Sequence, residues 1–227
     1  MLVLEAGCKK KIWEYNEDGL PEKFKWVADG ELLDNGVCID ANYQKYHVPE
    51  KGRTKVNCTI EYQKIREVDA KRQTLSIDLL LTLKWLDPNI RTNIFAQTEE
   101  KEGIGLLPEA TKKIWTPDLY IWNSTTLKSK EEWASLKKTK LSNIKIDESG
   151  SQYIKTAVEM KYEIKTTVYC NFQFAKYPAD KQACSIKIGS GSEEAIFILK
   201  DENKRYHTNA SYNAVGKNML ISDQLSA

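Results

Sequence analysis

The stretch IKTAVEMKYEIKTTVYC, Ile154 to Cys170, decides the fold class. Its even positions read Ile, Thr, Val, Met, Tyr, Ile, Thr, Val and Cys, while Lys155, Glu159, Lys161, Glu163 and Lys165 fill odd ones. Strict period two over this length is the mark of a long β-strand with one face on a core and the other toward water or a neighbour. Upstream, Ile77, Leu79, Leu81, Leu83 and Trp85 alternate in the same way with Ser76, Asp78, Leu80, Thr82 and Lys84. Leu80 is the apolar exception on that polar face.

Downstream, Cys170 and Cys184 bracket thirteen residues, NFQFAKYPADKQA, with Tyr177, Pro178 and Asp180 inside. Cysteines so spaced can close one loop. Proline after an aromatic residue favours a tight turn, and Asp180 can return to backbone N–H groups. On spacing alone, a stapled hairpin of any secreted β-protein fits equally well.

Three further motifs narrow the choice. The chain reads IREVDAKRQ at Ile65 to Gln73, then Trp85-x-Asp87, then WTPD from Trp115 through Pro117 to Asp118, and last the Cys-x13-Cys loop. In this order they resemble the extracellular domain of the Cys-loop receptors, the pentameric ligand-gated ion channels, a family that includes the acetylcholine-binding proteins. The resemblance covers roughly Tyr43 to Ser222. It implies a twisted antiparallel β-sandwich over residues 43–227, preceded by an extension at residues 1–42. We expect a short helix in that extension, from Pro21 through Phe24, Val27, Ala28 and Leu32, ended by Gly36 and weakened by Gly30. The lysine-rich segment Lys128 to Lys140 around Trp133 suits a short helical turn or a solvated loop equally.

Composition excludes several functions. With 34 basic and 32 acidic residues the net charge is +2, so no field for nucleic acid or another polyanion exists. The 227 residues suit a single core, and no apolar run is long enough to span a bilayer. His47 and His207 are the only histidines, and no hydrolase, metal or phosphate-cradle motif is present. We therefore expect no enzyme, no metal and no cofactor. Five cysteines and sequons at Asn57, Asn123 and Asn209 fit the secretory pathway, as a cell-surface ectodomain or a secreted protein. Glycans are expected at Asn57 and Asn209, whereas the Asn123 side chain is expected to be engaged locally.

The resemblance also supplies a site. In the family a cationic or zwitterionic transmitter lies at each boundary of a five-membered ring, inside a box of aromatic faces that attract cations. The box positions fall here on Trp122, on Gly191 and on Leu80. Two rings are thus replaced, and Trp122 suits either a ligand contact or ordinary packing. Trp85, Asp87, Trp115, Pro117 and Asp118 are implied to be structural. Asp69, in the turn Val68-Asp69-Ala70-Lys71, matches the coupling loop of channels, as do Tyr177, Pro178 and Asp180 in an apolar Cys-loop tip with Phe172, Phe174 and Ala179.

After Cys184 the chain is expected to supply a strand near Ala195–Lys200, a loop carrying Asn209 and a strand near Asn218–Ser222. The final strand and closing loop of the family are expected to be missing. Of the other cysteines, Cys38 with Cys58 is the preferred pair, leaving Cys8 over. The expected function is a channel-subunit ectodomain that senses a small ligand at subunit boundaries, with identical or homologous subunits as partners and a channel membrane domain if the natural chain is longer. The alternatives are a ring-forming scaffold that has lost the site and a secreted soluble ligand-binding relative.

Overall fold

The computed structural model describes residues 8–15, 21–28, 30–33, 36–50, 52–92, 103–125, 130–148, 151–172, 184–191, 195–199, 211–212 and 219–223. The chain is mostly β. The strands are β1 (Lys9–Tyr15), β2 (Pro21–Ala28), β3 (Glu31–Leu32), β4 (Val37–Ile39), β5 (Thr54–Asp69), β6 (Thr74–Asp87), β7 (Ile90–Thr92) and β8 (Ile104–Leu106). A one-turn helix α1 (Pro108–Thr111) precedes β9 (Tyr120–Ile121), and a second, α2 (Lys130–Trp133), runs into β10 (Ala134–Glu148). Then come β11 (Ser151–Tyr169), β12 (Cys184–Ile186), β13 (Ile188–Gly189), β14 (Ala195–Leu199), β15 (Ser211–Tyr212) and β16 (Met219–Asp223). Residues 130–140 of the lysine-rich segment thus divide into helical turn and strand.

The main sheet has six strands in the order β14-β5-β6-β11-β10-β8, with smaller sheets β3-β4-β7, β12-β16-β15, β13-β9 and β1-β2. β14 runs parallel to β5, an arrangement that needs a long crossover, while β5 and β6 form an antiparallel hairpin. This is the β-sandwich class that the resemblance implies, built on the long strands that the alternating sequence calls for. Along β6 every second residue from Leu75 to Asp87 is buried. Along β11 the even residues from Thr156 to Val168 are buried, and Cys170 beyond it continues the pattern. The period-two code is therefore the register of the core.

The chain forms two compact units. One comprises Met1–Pro49, Leu86–Trp115 and Lys140–Val158. In it, Val37, Ile39, Ile90, Ile114, Trp115, Leu141 and Val158 are buried, and a Cys8–Cys38 disulfide ties the start of β1 to β4. The other comprises Glu50–Trp85, Thr116–Thr139 and Glu159–Ala227, with a core of Ile77, Leu79, Leu81, Leu83, Trp85, Met160 and Ile164.

Three expectations are corrected. The predicted N-terminal helix is instead strand β2, paired antiparallel with β1 from Lys9↔Ala28 through Glu14↔Lys23. Its residues KFKW alternate lysine with an aromatic ring, which suits a strand as the wider spacing suits a helix, and pairing with β1 decides for the strand. Gly30 follows with φ of 101° and would place a Cβ against the Ile39 carbonyl, so only glycine fits the turn into β3.

The predicted Cys38–Cys58 pair is replaced by Cys8–Cys38, with Cα atoms 5.6 Å apart. Cys58 is free. It lies within β5, opposite Leu83 of β6 and Leu199 of β14, buried, with its thiol directed at the Val56 carbonyl (3.7 Å). There it acts as a small apolar residue.

The C-terminal segment also differs. Beyond β14, close to the expected strand, β15 pairs with β16 as a hairpin through Ser211↔Leu220 and Tyr212↔Met219. β16 continues along β12 through Cys184↔Asp223 to Ile186↔Ile221. β16 falls on the strand expected near Asn218–Ser222, whereas β15, which makes it a short hairpin, was not expected. Two residues, Ser211 and Tyr212, are too brief a strand for periodicity to reveal.

Candidate functional site

In the unit that contains β9, the segment TPDLYIWN leads from buried Pro117 and exposed Asp118 through β9 to Trp122. β9 pairs with β13 (Ile188↔Ile121, Gly189↔Tyr120), and the Trp122 N–H donates to the Lys187 carbonyl at 2.8 Å. Alternation puts Tyr120 and Trp122 on one side of this short ladder, with ring centroids 6.0 Å apart and planes inclined by 32°. Both are about half exposed, at 52% and 50%, so their faces meet solvent. They form an aromatic shelf.

Gly191, the position at which the resemblance implied a lost ring, lies at this shelf. A Cβ there would collide with the Tyr120 ring. Tyr120 therefore occupies the space that a side chain at position 191 would take. Sequence reasoning missed Tyr120; the signal was the Tyr-x-Trp spacing after WTPD, which puts two aromatics on one strand face. Leu80 is half-buried on β6 opposite Glu61.

Behind the shelf, the Asn123 amide Nδ2 donates to the carbonyls of Tyr169 (3.1 Å) and Ser185 (2.8 Å), and its Oδ1 accepts from the Lys187 N–H (2.9 Å). The expected local engagement of this side chain is what the geometry displays. Cys170 and Cys184 form a disulfide with Cα atoms 5.3 Å apart. The β5–β6 turn reaches the same place, for the Cys170 N–H donates to the Gln73 carbonyl at 2.9 Å. Asp69 closes that turn by accepting from the Arg72 N–H at 2.9 Å. Tyr177, Pro178, Asp180, Phe174, Ala179 and Asn209 lie outside the described residues. Asn57 is half-buried in β5, between Lys84 and Ile198 of its neighbouring strands.

Trp85 is buried in the unit of the shelf. In the other unit, a hydrogen-bonded group joins two of the sequence motifs. Fully buried Asp87 accepts from the Tyr43 hydroxyl (2.8 Å) and from the Asn89 N–H (3.0 Å). The Tyr43 oxygen in turn accepts from the Trp115 N–H (2.8 Å). Burial first, and then the Asp87 carboxylate, push the Tyr43 hydroxyl far above the ordinary phenol range, so it stays a donor. A cavity of about 290 Å³ lies beside this group, walled by polar residues that include Asp40, Tyr43, His47 and Asn89. Its carboxylate Asp40 already pairs with Arg91 at 2.7 Å. No cluster of three or more metal-ligating side chains occurs among the described residues. Among the described residues no helix is long and apolar enough to cross a membrane.

Comparison with known proteins agrees with this geometry. Residues 36–216 match the neurotransmitter-gated ion-channel ligand binding domain. An acetylcholine-gated chloride channel subunit of Caenorhabditis elegans is 24% identical over 70% of this chain and 33% of its own length. A proton-gated ion channel subunit of the same organism is 28% identical over 73% of this chain and 36% of its own length. A gamma-aminobutyric acid receptor subunit pi of Rattus norvegicus is 25% identical over 67% and 31%. The chain thus spans about a third of the length of these relatives. Ligand-gated channels are not enzymes, which agrees with the lack of catalytic motifs. With the motifs, the β-sandwich and the match over residues 36–216 in agreement, the chain belongs to the neurotransmitter-gated ion-channel ligand-binding domain family.

Proposed function

We propose that this chain is the extracellular part of a pentameric ligand-gated channel subunit, which senses a small ligand at the boundary with a like or homologous subunit. The observation that carries the reading is the solvent-facing pair Tyr120 and Trp122, set on a ladder whose strands lead to the Cys170–Cys184 disulfide. Exposed aromatic faces attract an organic cation, each by about 0.5–2 kcal/mol. Leu80 is the contribution of the neighbouring subunit and offers no ring. Ligand binding biases one subunit arrangement over another. The Asp69 turn and the disulfide loop, joined by the Cys170–Gln73 hydrogen bond, face a membrane domain and pass the bias on. Asn57 and Asn209 carry glycans at the cell surface.

The three relatives are named for acetylcholine, protons and gamma-aminobutyric acid, so chemistry here must come from the shelf itself. Two rings in place of a full box contribute about 1–4 kcal/mol between them, so a choline ester is held at millimolar affinity at best. Titration followed at the Trp122 indole by NMR tests this. Saturable millimolar shifts that vanish in Trp122→Ala are expected. No response at Trp122 at about tenfold that concentration refutes sensing of organic cations. It would favour the second reading, a ring-forming scaffold without a ligand, for which the apolar Leu80 and the ringless Gly191 speak.

A further inference from the structure

We propose, resting on the reading of Trp122 as part of the ligand shelf, that Asn123 is a positioning residue that clamps this shelf to both stems of the disulfide-closed loop. Tyr169 immediately precedes Cys170, and Ser185 immediately follows Cys184. One amide group donates to both of their carbonyls, at 3.1 and 2.8 Å. Its oxygen accepts from the Lys187 N–H at 2.9 Å, and its own backbone carbonyl accepts from the Tyr169 N–H at 2.9 Å. The next residue back is Trp122, whose N–H is held by the Lys187 carbonyl. A change in the separation of the stems must therefore move or break a bond to Asn123, and with it the backbone that carries the indole.

Only a carboxamide performs this task. Two donors and an acceptor are needed on one short side chain, which Asn supplies. Asp presents oxygen to both carbonyls and donates to neither. Asn123 also begins the sequon Asn123-Ser124-Thr125. A glycan on Nδ2 would leave a single N–H and release one stem. The clamp thus requires an unmodified Asn123.

The test uses the folded chain labelled with 5-fluorotryptophan, the Trp122 signal being assigned with Trp122→Phe. Opening the bridge by Cys170→Ser with Cys184→Ser shifts the Trp122 fluorine resonance in the presence of Asn123. In Asn123→Ala, which keeps only the backbone bond from the Tyr169 N–H, the same opening shifts it much less. An equal shift with and without the Asn123 side chain, or no shift in either, overturns the proposal. If Asn123→Ala does not fold, hydrogen exchange on the chain with native Asn123 decides. Opening the bridge must speed exchange of the Lys187 amide at least about tenfold while Leu79 and Leu81 stay protected, and unchanged Lys187 exchange overturns the clamp. Mass mapping of protein from glycosylating cells must show Asn123 bare, and full occupancy overturns it too. A failed choline-ester titration would remove the ligand reading and leave all three signals readable, so the two failures are distinguishable.

Discussion

Tyr43→Phe removes one oxygen atom and tests the group that joins two of the family's motifs. In the folded chain that oxygen donates to Asp87 and accepts from the Trp115 N–H, both at 2.8 Å. Asp87 is fully buried and Trp115 is 6% exposed, so only water entering from the adjoining polar cavity could replace part of what is lost. A hydrogen bond to a charged acceptor contributes about 1.5–3 kcal/mol and a neutral one about 0.5–1.5. Asp87 keeps its bond from the Asn89 N–H, which limits the damage at the carboxylate. The expected loss is therefore about 2–4 kcal/mol, a large part of the stability of an ordinary domain. Denaturant unfolding with both disulfides intact measures it, as a lower midpoint at unchanged slope. Tyr46→Phe is the control, because Tyr46 is 82% exposed and its hydroxyl should contribute nothing measurable. A loss under about 0.5 kcal/mol for Tyr43→Phe would refute the reasoning and make the Tyr43 bridge incidental.

Cys58, buried and with its thiol pushed well up by that burial, should resist thiol reagents in the native chain and react on unfolding; rapid native labelling would contradict its placement. Burial pushes the Tyr162 hydroxyl up to about 12. Its folded pKa lies above the unfolded one, so its contribution is complete below the ordinary tyrosine range and is lost as pH rises toward 12. Tyr162→Phe should flatten the alkaline limb of stability against pH, and an unchanged limb would count against this. Gly191→Ala should displace the exposed Tyr120 ring, seen as a shift in its NMR signals, at a cost of about 1 kcal/mol or less because the ring can turn toward solvent. An unmoved Tyr120 would mean that position 191 has room to spare.

The long strands were legible because their burial is periodic. Ile77 to Trp85 and Thr156 to Cys170 carry the core on alternate residues, and period two reads straight from sequence. The disulfide of Cys170 and Cys184 was legible for a similar reason, since its partners are close in sequence. β2 was misread because Phe24, Val27 and Ala28 satisfy a helical spacing while KFKW satisfies a strand, and pairing with β1 decides between them. No local pattern encodes that decision. Tyr43 was invisible for a stronger reason: its partners Asp87 and Trp115 lie 44 and 72 residues away, and a bond made at that distance leaves no trace in composition or period.

The aromatic shelf shows the same limit with a functional consequence. Position by position, Gly191 counts as a lost ring, and that count predicts a site with a single aromatic residue. Folding brings Tyr120 alongside Gly191, so close that a methyl group at 191 would collide with the ring. Glycine at 191 and tyrosine at 120 are thus one arrangement: the first clears the space and the second fills it from the opposite strand of the β9–β13 ladder. Among the described residues Tyr120 and Trp122 are both exposed beside Gly191, and on the proposed reading a cation would meet these two rings. Restoring a large aromatic at 191 without removing Tyr120 would therefore crowd the shelf instead of completing a box. Gly191→Trp alone should lower stability without tightening choline-ester binding, whereas the same change with Tyr120→Ala should recover stability and keep two rings; tighter binding by Gly191→Trp alone would show that the two residues do not share one space.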